Sequence, residues 1–166
     1  MNQTHLHLLI NHLPIFGSIL GSIVLTQAIW TKNDQTKIAA YNLFIISSVG
    51  AIITFITGES AEETVENMTG ILKSSISSHA EFAVFALASL IILGIASIGG
   101  LFMTLGKSSN ANSLSKVILI ISVISFLLAA RTGYLGGKIR HTEINSSNNY
   151  FHQLRPKHNS IENDLD

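Results

Sequence analysis

The sequence predicts an all-α protein, an integral membrane four-helix bundle with an interfacial helix between its second and third spans. Three observations carry this expectation. Only 12 % of the 166 residues are charged and 47 % are hydrophobic, against roughly 25 % charged residues in an ordinary soluble domain. No Asp, Glu, Lys or Arg occurs from Met1 to Thr31, and long charge-free runs recur at Ile38 to Thr57 and Phe82 to Leu105. Each run reaches about 30 Å at roughly 1.5 Å per residue, the thickness of a bilayer core.

The first helix is expected over 8–30, with Asn11 as its cap and Pro14 in its first turn, where the missing N–H costs nothing. Its N-terminus lacks a Lys/Arg-rich region, so it reads as a retained helix and not a cleaved signal. The second is expected over 38–57. Gly58 to Ser78 carries Glu59, Glu62, Glu63, Glu66 and Lys73; it is too polar for hydrocarbon and reads as the interfacial helix, with Ser60 and Glu63 at capping-box spacing. The third span runs over 79–105, and Ser78-His79-Ala80-Glu81 fits a capping box at its start. The fourth, 114–135, has a strictly uncharged stretch of only Val117 to Ala130, so it spans only with Arg131 near its end. Residues 1–144 form the transmembrane domain and 145–166 a polar, mostly disordered tail.

Small residues recur at Gly17 and Gly21, at Gly94, Gly99 and Gly100, and at Gly133, Gly136 and Gly137. Their default role is close helix approach, and the last group also reads as helix-terminating. Beyond a loose likeness of the two halves, in which a His opens helices one and three, no internal repeat is evident.

Ten basic and ten acidic residues balance to a formal charge of zero, which excludes a global field for nucleic acid. The absence of cysteine removes disulfides, iron–sulfur clusters, thiolate metal sites and covalent haem attachment. With four spans, parity puts the N-terminus, the Gly58–Ser78 connection and the C-terminal segment on one face, with Lys32, Lys37, Lys107 and Lys116 on the other. The lysine-bearing loops suit the cytoplasm, which places both termini outside it; Lys138, Arg140, Arg155 and Lys157 count the opposite way.

The termini face gathers the chemistry. His12 and His79, on facing helices, are the expected axial ligands of a b-type haem, with Arg131 and Arg140 near its propionates. The plain alternative for each His is a hydrogen-bonded interfacial residue. His5 and His7 carry less information, and His7 least. A second arrangement is a zinc or iron site built from His12, His79, His141, Glu59, Glu62, Glu63 and Glu66, the alternative being a solvated acidic helix turn. For Arg131 the alternative is an ion pair with Glu59 or Glu81.

The Asn11-His12-Leu13-Pro14-Ile15 opening, the helix-opening His79, and Gly136-Gly137 followed by His141 resemble a family of small bacterial four-helix membrane proteins. Its members open on a His-Phe-Pro-Ile type motif and are catalogued as a domain of unknown function; here Leu13 replaces the aromatic. The resemblance covers roughly Leu6 to His141 and implies a bacterial inner-membrane protein, respiratory or haem-associated. The resemblance bears on the fold more than on the chemistry; from the His12 and His79 pair, the expected function is a cytochrome b-like haem protein in electron transport, working with a quinone or a redox partner protein. A membrane metalloenzyme and a cofactor-free subunit are the alternatives, and self-association into a homo-oligomer is left open.

Overall fold

A computed structural model describes the backbone over residues 3–66 and 73–154 and the side chains over 5–58 and 74–138, residue 75 excepted. Among the described residues every element is an α-helix: α1 (Gln3–Ile10), α2 (Leu13–Thr31), α3 (Asp34–Glu66), α4 (Lys73–Leu105) and α5 (Ala111–Leu154). Four stretches are long and apolar enough to cross a membrane: His5–Thr31, Asp34–Gly58, Ile76–Leu105 and Ala111–Lys138. Helix α3 packs on α2 and α4, and α5 packs on α4 and α2, which closes a ring of four; α1 lies against α3.

Several boundaries differ from the sequence-based expectation, each for a local reason. α1 and α2 are separate helices, and His12, not Asn11, occupies the N-cap position of α2, with no side-chain cap bond. The Asn11 Oδ1 atom is buried without a partner. Pro14 does sit in the first turn of α2. Helix α3 continues past the expected membrane boundary to Glu66, and α4 begins as early as Lys73. The expected interfacial segment is thus largely the continuation of two spanning helices, with 67–72 outside the described residues. Glutamate and lysine are good helix formers once outside hydrocarbon, so the helices need not stop there. Ser78 is interior to α4 and donates its hydroxyl to Ser74 O at 2.9 Å, so the capping box expected at Ser78–Glu81 does not form. Helix α5 likewise runs through Gly133, Gly136 and Gly137 to Leu154, past the expected end at 135 and into the region expected to be disordered.

At the opposite end the chain reverses tightly. Lys32 and Lys107 adopt left-handed φ values of 54° and 53°, the geometry that closes a helix C-terminus. The Asn33 side chain accepts the Thr36 N–H at 3.0 Å and starts α3. Lys37 is 3 % exposed; its ammonium donates to Asp34 Oδ1 at 2.9 Å and to Asn112 Oδ1 at 2.6 Å. It is therefore a tie between α3 and α5, not the free loop cation that the orientation count assumed.

The interior is small and polar as much as it is apolar. Tyr41, Phe44, Leu25, Leu90, Leu93 and Ile118 are fully buried, and so are Ser18, Ser47, Ser97, Ser115, Ser122 and Ser125. Phe16, Ile23, Trp30, Ile56, Ile95, Phe102 and Leu127 are exposed. This inversion suits a lipid surround, where apolar side chains gain nothing by burial and small residues let backbones approach. Gly17 lies under Ser47 and Gly21 under Phe44. Between helices, Ser22 and Ser122 share a hydrogen bond at 2.7 Å, as do Tyr41 and Ser115 at 2.8 Å.

Candidate functional site

The termini end of the bundle is built around two imidazoles, His7 on α1 and His79 on α4. The His7 Nδ1 atom lies 2.9 Å from Thr54 O on α3, and the His79 Nδ1 atom 3.0 Å from Thr132 O on α5. A carbonyl only accepts, so in both rings Nδ1 is the atom that carries the proton. The neutral ring then presents Nε2 as its lone-pair nitrogen. Both rings are half-buried.

The reason these two carbonyls are reachable lies four residues further along. Within a helix the carbonyl of residue i is bonded to the N–H of residue i+4, and a side chain at i+4 stands beside that bond. At both places residue i+4 is glycine: Gly58 for Thr54 and Gly136 for Thr132. A Cβ at Gly58 would lie 3.4 Å from His7 Cε1, and one at Gly136 would lie 3.1 Å from His79 Cε1 and 3.3 Å from Nδ1. At Gly136 a side chain would crowd the incoming ring, whereas at Gly58 a Cβ would make only an ordinary contact.

The two units belong to one recurring pattern. Ser47, Ala51, Thr54 and Gly58 on α3 recur as Ser125, Ala129, Thr132 and Gly136 on α5, each offset by 78 residues. Ser47, Ser125, Ala51 and Ala129 are all buried. The halves of the chain are therefore more alike than the position of their histidines suggests: each is a pair of helices in which a His on the first meets a Thr carbonyl on the second.

Helix 2 of each pair supplies the same device, but the surroundings differ. Thr57 adds a hydroxyl 3.4 Å from His7 Nδ1, while its own proton goes to Ile53 O at 2.8 Å; the corresponding residue in the second half is Leu135. Beside His7, Thr54 Oγ1 and Asn11 Oδ1 are buried without hydrogen-bond partners. Buried polar atoms of this kind are rare in stable interiors and ask for an explanation.

The other expected site residues fall as follows. His12 is exposed, and its ring stacks on that of Phe16 with centroids 6.2 Å apart. His7 is the histidine of the first span whose ring reaches a neighbouring helix, at Thr54 O on α3. A turn at Asn11–His12 separates α1 from α2. Arg131 is exposed and lies over the rings of Phe82 and Tyr134, 5.6 and 5.7 Å from their centroids, and it forms no ion pair with Glu81 among the described residues. The side chains of Glu59, Glu62, Glu63, Glu66, Arg140 and His141 lie outside the described residues. Among the described residues no group of three or more His, Asp or Glu side chains converges.

Crowding at Gly136 gives a direct check on the His79 unit. A Gly136→Val substitution should push the ring off the Thr132 carbonyl and cost about 1–3 kcal/mol, the usual range for overpacking. Gly58→Ala, where the new contact is ordinary, should cost well under half of that. Thermal unfolding of the two variants in detergent separates them, and equal losses would mean that the glycines do not act by admitting the rings.

Comparison of the chain with protein-family models, with curated proteins and with solved structures yields no match.

Proposed function

We propose that the chain is an integral membrane protein that holds a b-type haem between His7 and His79 and serves one-electron transfer with a quinone or a partner protein. The observation that carries this reading is the paired anchoring of the two rings. Each Nδ1–H is fixed to a backbone carbonyl of the neighbouring helix, which leaves Nε2 as the ligand atom in both. An Nδ1–H···O=C bond of this kind sets the tautomer, orients the ring and raises its basicity, as outer-shell partners of metal-bound histidines do.

The number of available ligands favours haem over a bare ion. A zinc site takes three or four protein ligands, and among the described residues no group of three His, Asp or Glu side chains converges. Porphyrin iron brings four nitrogens of its own and needs two axial ligands at most. The haem would supply the redox chemistry, and His7 and His79 would hold it through Nε2, each ring being fixed by its Nδ1–H bond to a helix carbonyl. Arg131, expected at a propionate, is turned to the outer surface and is not needed in this arrangement.

Titration of the detergent-purified apo-protein with haem tests the reading. It predicts saturation at one haem per chain, with a Soret band that shifts on dithionite reduction. Haem that stays in micelles, with the same spectrum as a protein-free blank, refutes it.

A further inference from the structure

The two halves of the chain place their histidines alike but carry them differently. His7 and His79 are 72 residues apart, and so are Pro14 and Ala86. In the second half the stretch from His79 to Ala86 lies inside one continuous helix, α4. In the first half it is broken, because α1 ends at Ile10 and α2 begins at Leu13. Proline has no N–H to return to the carbonyl four residues back, here that of Ile10. Around the break the Asn11 N–H reaches His7 O and the Phe16 N–H reaches His12 O, both at 2.9 Å; among the described residues no backbone hydrogen bond runs from α2 back to α1. Side chains do not bridge the gap either: His12 makes no cap bond, and the Asn11 Oδ1 atom is without a partner.

On the α2 side of the break the chain is fixed by packing: Leu13 lies against Gly50 of α3, and Pro14 is buried. On the α1 side it is held lightly. None of the described residues of α1 is fully buried, and Leu9 is 71 % exposed. Among the described residues His7 is the one α1 side chain that hydrogen-bonds another helix, through Thr54 O at 2.9 Å and the Thr57 hydroxyl at 3.4 Å. So short a helix is not stable by itself, and apolar packing adds little to it in lipid. We infer that α1 is a flap, hinged at Asn11–His12 and latched to α3 by His7, that swings out to admit a ligand between the two imidazoles and then returns His7 to it. A hinge of this kind needs only a few residues at the end of an element. His79, on unbroken α4, is the fixed ligand and His7 the delivered one. The identity of the admitted ligand rests on the haem reading; the motion does not.

The chain has no cysteine, so introduced pairs can be spin-labelled in the full-length protein in nanodiscs and their separation read by double electron–electron resonance. Leu9→Cys with Ile23→Cys spans the break. Glu81→Cys with Ile95→Cys, each 72 residues further on, spans the same length of unbroken α4, and all four positions are exposed. Either pair would stand about 21 Å apart on a straight helix. Without haem the first pair should give two populations, latched and open, and the second pair one. His7→Ala should shift the first pair toward the open population by about two- to tenfold, the worth of one hydrogen bond. Pro14→Ala restores the N–H; it should narrow the first pair toward the second and slow haem uptake by the factor by which it depletes the open population. Circular dichroism of each variant reports that the helices persist. Haem should gather the first pair into the latched population. A first pair as narrow as the second, in both the wild type and His7→Ala, overturns the flap; an uptake rate unchanged by Pro14→Ala overturns its part in admitting the ligand. A chain that takes up no haem refutes the function proposed above, and the haem-free distances still decide the flap.

Discussion

His7→Ala and His79→Ala should each abolish tight haem binding, whereas His12→Ala should leave it intact. The loss expected is at least about a hundredfold in affinity, because even the hydrogen-bond partners of metal-bound histidines are worth 10–100-fold and the ligand itself is worth more. His12 serves as the internal control, being five residues from His7 in the chain but exposed and stacked on Phe16. Haem titrations of the three variants, read at the Soret band, check this. Loss of binding in His12→Ala with retention in His7→Ala would restore the pairing suggested by sequence order and remove the basis for the site described here.

The second large effect lies at the other end of the bundle. Asp34→Ala leaves the Lys37 ammonium, with a side chain only 4 % exposed, without its counter-charge. Breaking one side of a buried pair typically costs 3–5 kcal/mol. The Asp34 side chain is 58 % exposed, so water screens the pair, and about 2 kcal/mol is expected. Removing the charge itself is different in kind: Lys37→Met deletes the need for partners and keeps the packed stem, so it should cost less than about 1 kcal/mol. Thermal unfolding in detergent ranks the two. A Lys37→Met variant as damaged as Asp34→Ala would show that the ammonium holds α3 to α5 by its bonds and is not merely a buried charge in need of neutralising.

The spans were legible because they are charge-free, and hydrocarbon tolerates little else. Their ends were less so. Glu59–Glu66 and Lys73–Ser78 read as an interfacial segment because they are polar, yet polarity only says that a residue lies outside hydrocarbon. It does not stop a helix, and α3 and α4 run on. Ser78 looked like a cap because it precedes His79 and Glu81 at the right spacing, and that spacing is equally available inside a helix.

The site was half legible. His79 stood out as a helix-opening His facing the bundle, and its placement there follows from the Thr132 carbonyl and Gly136. The choice between His7 and His12 turned on phase. Five residues on a continuous helix are about 140° apart, so at most one of the two could face inward; His7 is half-buried and His12 is exposed. A usable signal was nevertheless present: the recurrence of Ser-x-x-x-Ala-x-x-Thr-x-x-x-Gly at Ser47 and Ser125 marks the two receiving carbonyls. Glycines 133, 136 and 137 looked like helix terminators, but two of them face side chains of neighbouring helices, Gly133 meeting Ile15 and Gly136 meeting His79.

Paired coordination by His7 and His79 is tested most directly by low-temperature magnetic circular dichroism of the oxidised, haem-loaded wild-type protein. The account predicts a low-spin ferric haem with bis-imidazole ligation, converted to high-spin or lost when either His7 or His79 is replaced. A high-spin, five-coordinate haem in the wild type, or a bis-imidazole signal that survives His7→Ala, would contradict it.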